Sequence, residues 1–320
     1  MTKIFRGTVE HDDFNGTTGD DICYGYDGKD TFYGSRGFDV FDGGADIDTV
    51  VYHGAHGNVQ VDLLAGWGED GEGNKDTYVS IENVSGSIYS DTLAGDNNPN
   101  VLDGDSGRDS LYGRGGDDTL RADMADYVVD GGSGTDTLVM SYASGLAVTL
   151  NNDGTGTAVS GSATVQLANI ENVSIADNAA SGLDSVFGNP GAILRGNSLN
   201  NELRGSNAND TLNGGDGNDT LFGGAGSDTF IFTHSGSSHH HQHDTILDFR
   251  PNTDHIDLSN TPVNNFADLL SDGDRYMEDY DNNGDGVNDS VMIHTSENND
   301  TSILVLGVHT SNLQESDFIF

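Results

Sequence analysis

The stretch from Gly205 to Phe232 repeats with a period of nine residues, and this period limits the folds open to the chain. Split after every ninth residue, the stretch reads GSNANDTLN, GGDGNDTLF and GGAGSDTFI. Glycine opens each nonapeptide, aspartate holds the sixth position, and a large apolar residue holds the eighth in these three nonapeptides. A nine-residue period is too short for a helical hairpin, so it predicts a solenoid of short strands and turns. A flexible glycine-rich linker, the alternative, would not keep a constant phase.

The residue types at each position of the repeat indicate how such a solenoid would be built and what it would bind. Six residues would form a turn and three a strand, so that two nonapeptides make one flattened coil and coils stack at roughly 4.8 Å. Glycines at the second and fourth positions permit positive φ and leave carbonyl oxygens facing the gap between stacked turns. Glycines of this kind are Gly215, Gly217, Gly224 and Gly226. The aspartate adds carboxylate oxygens, and an anionic site lined only by oxygens suits calcium, which takes about 6–8 such ligands.

Aspartate recurs at the sixth position in three blocks of repeats, which begin near Gly7, Gly86 and Gly196. The predicted calcium ligands in these blocks are Asp21, Asp30, Asp39, Asp48, Asp91, Asp109, Asp118, Asp136, Asp210, Asp219 and Asp228. Three repeats depart from the pattern, because Asn100, Tyr127 and Asn201 stand in the aspartate position. We therefore expect no full calcium site around Tyr127.

Two longer segments interrupt the blocks, at about 49–87 and 137–181. They share landmarks in the same order: DTVVY, VQVDL and IENV in the first, and DTLVM, LAVTL and IENV in the second. The alternating apolar residues predict strands, so we expect the solenoid to continue through both inserts with longer strands. Residues 65–76, AGWGEDGEGNKD, are predicted to form a protruding loop.

The charge balance restricts the classes of partner. The chain has 53 acidic residues, only 12 lysines and arginines, a formal net charge of -41, and 34% hydrophobic residues. Such a composition is typical of a disordered chain unless something neutralises it. Nucleic acid is excluded as a partner because its phosphates would be repelled. No stretch is apolar enough to predict a transmembrane segment, and Cys23, at an eighth position, is predicted to be a small buried residue.

The period stops after Phe232, and the remaining residues carry two further candidate sites. The segment SGSSHHHQH, at 235–243, either binds a transition metal through His239, His240, His241 and His243 or forms a solvated loop. A second candidate lies in DYDNNGDGVNDS, where alternate oxygens would face one centre as in an EF-hand loop. Its predicted calcium ligands are Asp281, Asn283, Asp285 and Asp289, against the alternative of a simple Asp/Gly turn. We also predict a short helix at 266–270 and strands at 291–295 and 302–307.

The nonapeptides resemble those of the RTX (repeats-in-toxin) family, proteins that Gram-negative bacteria export by type I secretion. The segment DTILDFRPNTDHIDLS, at 244–259, is similar to the motif that caps the roll in serralysin-type secreted proteases, and the ending NLQESDFIF resembles the family's uncleaved secretion signal. The resemblance implies an all-β, right-handed parallel β-roll over 1–232, and a β-rich cap with a secretion signal over 233–320. It also implies an extracellular protein that passes through the type I secretion apparatus and binds several calcium ions.

These observations favour a secreted protein that folds on binding calcium and acts as a structural, adhesive or binding exoprotein, with a polysaccharide or a cell-surface molecule as its ligand. Two alternatives remain: an enzyme or binding module acting on an anionic polysaccharide such as alginate, and a small membrane-active protein. No H-E-x-x-H or G-x-S-x-G motif occurs. Because the repeats begin near Gly7, we expect no separate N-terminal catalytic domain, although enzymatic activity stays an open question.

Overall fold

Strands of two to six residues, joined by turns, make up nearly all the regular structure of the chain. The structure is a computed structural model that describes residues 2–141, 143–176, 190–233, 242–270, 276–295 and 301–320. These residues divide into two compact units. Unit 1 comprises Met1–Ser141 and Ser162–Ile170, and unit 2 comprises Tyr142–Gly161 and Glu171–Phe320.

The strands of the first part of the chain are β1 (Lys3–Arg6), β2 (Asp13–Asn15), β3 (Asp21–Tyr26), β4 (Thr31–Tyr33), β5 (Val40–Gly44), β6 (Thr49–Val51), β7 (Gln60–Asp62), β8 (Trp67–Glu69), β9 (Lys75–Val79), β10 (Asn83–Ser85), β11 (Thr92–Ala94), β12 (Val101–Asp103), β13 (Ser110–Gly115), β14 (Thr119–Ala122), β15 (Val128–Ser133) and β16 (Thr137–Ser141). Those of the second part are β17 (Ala147–Leu150), β18 (Thr155–Ser160), β19 (Ala163–Ala168), β20 (Asn172–Ala176), β21 (Pro190–Arg195), β22 (Glu202–Arg204), β23 (Asn209–Asn213), β24 (Thr220–Phe222), β25 (Thr229–Thr233), β26 (Gln242–Ile246), β27 (His255–Asn260), β28 (Met277–Tyr280), β29 (Ser290–His294), β30 (Thr301–Leu306) and β31 (Phe318–Ile319). Helix α1 (Phe266–Leu269) follows β27, at the position predicted for a short helix.

Unit 1 consists of two sheets, and successive strands of the repeats alternate between them. One sheet has the order β2-β4-β6-β10-β12-β14-β16, with every pair parallel. In the other, β1, β3 and β5 are parallel neighbours, as are β11, β13 and β15. Partners within the repeats lie two nonapeptides apart, so that Phe14 faces Phe32 and Cys23 faces Phe41. The predicted parallel β-roll of paired nonapeptides is therefore confirmed.

In the three-residue strands of the regular repeats, one large side chain faces the core of the roll. Because side chains alternate across a strand, only the middle residue of a three-residue strand faces inward. That residue is the eighth of the nonapeptide, and Phe32, Leu102 and Leu111 are fully buried there. The stacked rings of Phe14 and Phe32 lie 4.8 Å apart. Cys23 is buried as predicted, and burial raises the pKa of its thiol to about 12, so it stays protonated.

The first insert adds antiparallel strands that the sequence pattern did not indicate. Strand β9 pairs in parallel with β5, β8 lies antiparallel between β9 and β7, and β7 pairs in parallel with β11. The segment 65–76 is therefore not a protruding loop, because Trp67–Glu69 forms the central strand of this meander. The close pairing depends on Gly68, where a side chain would collide with the carbonyl oxygen of Gln60. In the second insert, which extends beyond the described residues after Ala176, β17 likewise pairs antiparallel with β18.

Unit 2 repeats the two-sheet arrangement. One sheet contains β17, β21, β23, β25, β27 and β31 as successive parallel neighbours. The other contains β20, β22, β24, β26 and β30 in parallel, followed by β29 and β28 in antiparallel pairs. The strands predicted at 291–295 and 302–307 are confirmed as β29 and β30. In the described parts of the chain, no helix is long and apolar enough to cross a membrane.

Candidate metal sites

The sixth-position aspartates form ladders along the turns of the roll. In each ladder, Oδ1 of an aspartate accepts a hydrogen bond from the backbone N–H of the residue at the same place one coil earlier. Asp30 Oδ1 accepts from Asp12 N at 2.8 Å, and Asp48 Oδ1 accepts from Asp30 N at 2.7 Å. The same bond, at 2.5–2.9 Å, is formed by Oδ1 of Asp39, Asp91, Asp109, Asp118, Asp136, Asp210, Asp219 and Asp228. All of these aspartates are buried, with at most 1% of their surface exposed.

Backbone carbonyls of neighbouring turns face the same space as the carboxylates. A methyl group at Gly25 would collide with Asp30 Oδ2 and would lie 2.5 Å from the carbonyl oxygen of Gly43, one coil later. The predicted ligand glycines lie close to the carbonyls of the preceding coil: Gly224 has φ of +93°, and a side chain there would collide with the Ser206 carbonyl oxygen. Gly215, Gly217 and Gly226 also have positive φ and face carbonyl oxygens in the same way. Oxygens from two successive turns therefore converge between them.

Five of the aspartates carry a buried oxygen that accepts no hydrogen bond from the described residues. These atoms are Oδ2 of Asp30, Asp48, Asp109, Asp118 and Asp219. A buried charge without a partner is strongly unfavourable, and in proteins such groups are paired or coordinate metals. The orphaned oxygens therefore fit a bound cation.

Five of the other predicted aspartates have donors for their second oxygen. The N–H of Thr17 donates to Asp21 Oδ2 at 2.5 Å, and the N–H of Ser206 donates to Asp210 Oδ2 at 2.6 Å. Ser87 caps Asp91 and Ser35 caps Asp39 through similar bonds. Asp228 is paired differently, because Arg250 Nη2 lies 3.1 Å from its Oδ2.

Arg250, from the capping segment, holds the position between two turns that a cation would take. Its Nη2 donates to the Gly226 carbonyl oxygen at 2.7 Å, to Asp228 Oδ2 at 3.1 Å and to Asp254 Oδ1 at 3.0 Å. A carbonyl and two carboxylates from successive turns therefore share one guanidinium charge.

Burial makes ionised carboxylates unfavourable in these turns when no ion is bound. Desolvation is the largest cause in each case: it raises the pKa of Asp48 and Asp118 to about 6, of Asp219 to about 7, and of Asp109 to about 8. Neighbouring carboxylates contribute to these raised pKa values, as Asp126 does for Asp109. A divalent cation would reverse the effect, since a nearby positive charge favours the ionised form.

The ladders continue through residues that the nonapeptide phase did not identify. Oδ1 of Asp76 accepts from Asp39 N at 3.0 Å, and Oδ1 of Asp244 accepts from Asp219 N at 2.9 Å. Further members are Asp126, Asp254 and, through Oε2, Glu82. A local signal independent of phase would have found two of them: Asp76-Thr77-Tyr78 and Asp244-Thr245-Ile246 repeat the Asp-Thr-apolar triplet that starts the strands of regular repeats.

Asparagine replaces aspartate in two turns, and its side-chain amide there donates a hydrogen bond to a backbone carbonyl. Asn100 Nδ2 donates to the Glu82 carbonyl oxygen at 2.8 Å, and Asn201 Nδ2 donates to the Glu171 carbonyl oxygen at 2.6 Å. Both accepting residues belong to the IEN segments of the two inserts. An amide N–H therefore satisfies a carbonyl that faces the turn, without any added charge.

The calcium loop predicted at 281–289 stays a prediction. Its side chains are exposed or half-buried, and three of them accept hydrogen bonds from their own loop: Asp281 from the N–H groups of Gly284 and Gly286, Asn283 from Asp285 N, and Asp285 from Val287 N. These backbone bonds lower the pKa of Asp281. Of the histidine cluster, His239, His240 and His241 lie outside the described residues, whereas His243 Nδ1 lies 2.7 Å from Ser302 Oγ.

The donor set suits a hard cation that accepts backbone ligands. Nowhere in the described chain do three or more His, Cys, Asp or Glu side chains gather as a metal cluster. Between the turns, carbonyl oxygens and carboxylate oxygens lie side by side, as at Gly25. Calcium accepts such mixed oxygen ligands in flexible geometry, unlike zinc, which takes nitrogen and sulfur ligands in tetrahedral sites.

The fold and these turns define a class of protein: parallel β-rolls of nonapeptides with cation sites between stacked turns. The chain matches the family model of the RTX calcium-binding nonapeptide repeat in four copies, at residues 6–41, 15–50, 85–120 and 195–230. The chain thus carries RTX repeats, and its cofactor is calcium, bound as several ions.

Two solved structures are similar to the chain at low identity. One is the extracellular lipase LipA from Serratia marcescens, with 14% identity and a TM-score of 0.26; the match covers 100% of this chain and 40% of the lipase. The other is the AlgE6R3 subunit from the Azotobacter vinelandii mannuronan C5-epimerase, with 18% identity, a TM-score of 0.23, and coverage of 75% of this chain and 77% of the subunit. A comparison with curated proteins finds no match.

Proposed function

We propose that the protein is a secreted RTX protein that folds on binding extracellular calcium and then acts as a structural, adhesive or binding exoprotein. The observation that carries this proposal is the set of five buried carboxylate oxygens that have no donor among the described residues, in a chain whose formal net charge is -41. Calcium between the turns would neutralise these carboxylates and join successive coils. Carboxylates of successive turns would hold it together with carbonyl oxygens.

The small core is the reason that folding should depend on the ions. Each three-residue strand buries one side chain, so the hydrophobic contribution per residue is low for a chain of this length. An ion that binds only the folded state contributes about 2.7 kcal/mol at 100 times its Kd. Several such ions together match the whole stability of an ordinary domain, about 5–15 kcal/mol. We therefore expect an expanded chain at low calcium and a folded roll at millimolar calcium.

The C-terminal segment supports export before folding. In the folded chain β31 pairs with β27, Phe318 is buried, and Asp317 Oδ1 accepts from Asn252 N at 2.7 Å. A secretion signal at this end would be accessible in the expanded chain and packed away after folding. We propose that residues 233–320 both close the roll and carry this signal, and that the chain leaves the cell through a type I apparatus. The extracellular ligand, a polysaccharide or a cell-surface molecule, stays a prediction.

Far-ultraviolet circular dichroism and small-angle scattering of the purified chain test the proposal. In EDTA we expect a disordered spectrum and a large radius of gyration, and in millimolar calcium a β spectrum and a small radius. Magnesium at the same concentration is the control, because it requires near-ideal octahedral geometry and keeps its waters. A chain that is compact and rich in β structure in EDTA would refute calcium-dependent folding.

A further inference from the structure

The second residue of each nonapeptide separates the turns into two conformations. In the turns that precede Asp30, Asp48, Asp109, Asp118 and Asp219, this residue has positive φ; we refer to them as left-handed turns. Their second residues are Tyr26 (φ 78°), Gly44 (103°), Asp105 (62°), Arg114 (77°) and Gly215 (103°). In the turns that precede Asp21, Asp39, Asp91 and Asp210, the second residue is Thr17, Ser35, Ser87 or Ser206, none of which has positive φ. We refer to these as hydroxyl-capped turns.

The two conformations differ in what they offer the aspartate four residues later. In a hydroxyl-capped turn the second residue donates to the carboxylate: the Ser87 N–H bonds Asp91 Oδ2 at 2.5 Å and its hydroxyl bonds Oδ1 at 3.0 Å. In the five left-handed turns the aspartate is at most 1% exposed, and its Oδ2 accepts no hydrogen bond from the described residues. The division holds across these nine turns. In the turn before Asp228 the second residue, Gly224, also has positive φ, and there Arg250 pairs with the aspartate oxygen.

A cation and a hydroxyl cap are alternatives for the same carboxylate. The cap directs the positive ends of an N–H and an O–H at the oxygens, which satisfies them and places repelling dipoles where a cation would approach. In the left-handed turn before Asp30, the carboxylate and a carbonyl of the next coil border the same space, because Asp30 Oδ2 and the Gly43 carbonyl oxygen both lie beside Gly25. An ionised carboxylate in that setting needs a positive charge.

We propose that the second residue decides whether a turn takes calcium: the left-handed turns bind the ion, and the hydroxyl-capped turns close by hydrogen bonds without it. This inference rests on the proposed function and deepens it by assigning the ions to particular turns. It removes Asp21, Asp39, Asp91 and Asp210 from the calcium ligands that the aspartate pattern alone predicts.

The assignment gives the two edges of unit 1 different chemistry. Asp30, Asp48 and Asp118 belong to ladders on one edge, where Asp48 N bonds Glu82 and Asn100 Nδ2 bonds the Glu82 carbonyl. The hydroxyl-capped aspartates Asp21, Asp39 and Asp91 belong to the ladders of the other edge, with Asp109 as its left-handed exception. One edge of this unit is therefore joined mainly by ions and the other mainly by hydrogen bonds.

Asp105 offers the sharpest test, because its side chain is exposed and its turn is left-handed. Asp105→Ser lets the turn adopt the hydroxyl-capped form and seal Asp109. Asp105→Asn is the matched control: it removes the same charge and the same 3.7 Å contact with His53, but asparagine tolerates positive φ and adds no hydroxyl. The measurement is the number of calcium ions bound per folded chain, by native mass spectrometry of the full chain titrated with calcium chloride.

We expect the Asp105→Ser chain to bind one ion fewer than both the wild type and the Asp105→Asn chain. Equal numbers in all three would overturn the inference while leaving the proposed function intact, whereas a wild type that binds no calcium would overturn both. The reverse exchange provides a second measurement should the serine variant not fold. Ser87→Gly permits the left-handed turn and should gain one ion, while Ser87→Ala removes the hydroxyl alone and should gain none; equal numbers for this pair would also overturn the inference.

Discussion

Replacing Asp219 with asparagine should stabilise the protein at low calcium and destabilise it only at high calcium. Asp219 Oδ2 is buried and accepts no hydrogen bond from the described residues, and burial raises the pKa of Asp219 to about 7. Relative to an ordinary value of 3.8, ionising this group in the metal-free fold at neutral pH costs about 4 kcal/mol. Asparagine is neutral and removes that cost, and Asn201 shows that a turn of this roll accommodates it.

The same substitution removes one calcium site. A site contributes about 2.7 kcal/mol at 100 times its Kd and about 4.1 kcal/mol at 1,000 times. The gain and the loss therefore balance at about 1,000 times Kd. Below that concentration the Asp219→Asn chain should be the more stable, and above it the wild type.

Calcium titrations followed by circular dichroism measure this crossing. The variant should fold at a lower calcium concentration than the wild type, with a shallower transition because one ion fewer takes part. Asp13→Asn removes the same charge from a side chain that is 55% exposed, and it should leave the slope unchanged. If Asp219→Asn instead moves folding to higher calcium, the buried carboxylate does not oppose the metal-free fold and the reasoning fails.

Three further predictions test other parts of the same account. Burial raises the pKa of Asp39 to about 6 and of Asp244 to about 7, so the folded chain holds protons that the unfolded chain has released between about pH 4 and 7. The stability that these bound protons contribute is present at low pH and is lost as the pH rises. In calcium-free buffer, circular dichroism should therefore show more β structure at pH 5 than at pH 8. The reverse order would contradict the prediction. Arg250→Met should lower the unfolding free energy, measured by urea titration in saturating calcium, by about 3 kcal/mol. This is the low end for a broken buried ion pair, because the Arg250 side chain is 39% exposed. No change would mean that Asp228 and Asp254 find other partners. Tyr52→Phe removes the hydroxyl that donates to Asp76 Oδ2 at 2.7 Å. The unfolding free energy should fall by about 1–3 kcal/mol, equally at saturating and at sub-saturating calcium. A loss confined to one of these conditions would show that Asp76 shares an ion.

The regular part of the fold could be predicted because a single rule repeats. The eighth residue faces inward and the sixth directly precedes the strand, so the pairing of Phe14 with Phe32 follows from their spacing of two nonapeptides. The helix at Phe266–Leu269 and the strands β29 and β30 follow from local apolar patterns in the same way. Each of these features depends on neighbours along the chain.

The features that could not be predicted depend on contacts across coils. The strand Trp67–Glu69 has a composition typical of a loop, and it becomes a strand because β7 and β9 flank it. Asp76 is satisfied by Tyr52, which lies 24 residues earlier, and no short motif links the two. Which aspartates have donors depends on the backbone conformation of the second residue, and Tyr26 and Arg114 adopt positive φ although glycine is the residue that favours it.

The presence of turns that close without calcium beside turns that need it has a consequence for how folding depends on calcium concentration. Thr17, Ser87, Asn201 and Arg250 each supply a donor from the chain itself, so their turns keep the same stability at any calcium concentration. A roll made only of such turns would fold inside the cell, and a roll made only of left-handed turns would need every ion at once. In unit 1 the two kinds lie mainly on opposite edges, so an ion that binds at one edge fixes coils that hydrogen bonds already hold at the other edge. We therefore expect the capped turns to set the calcium concentration at which folding begins, and the left-handed turns to set how steeply it proceeds.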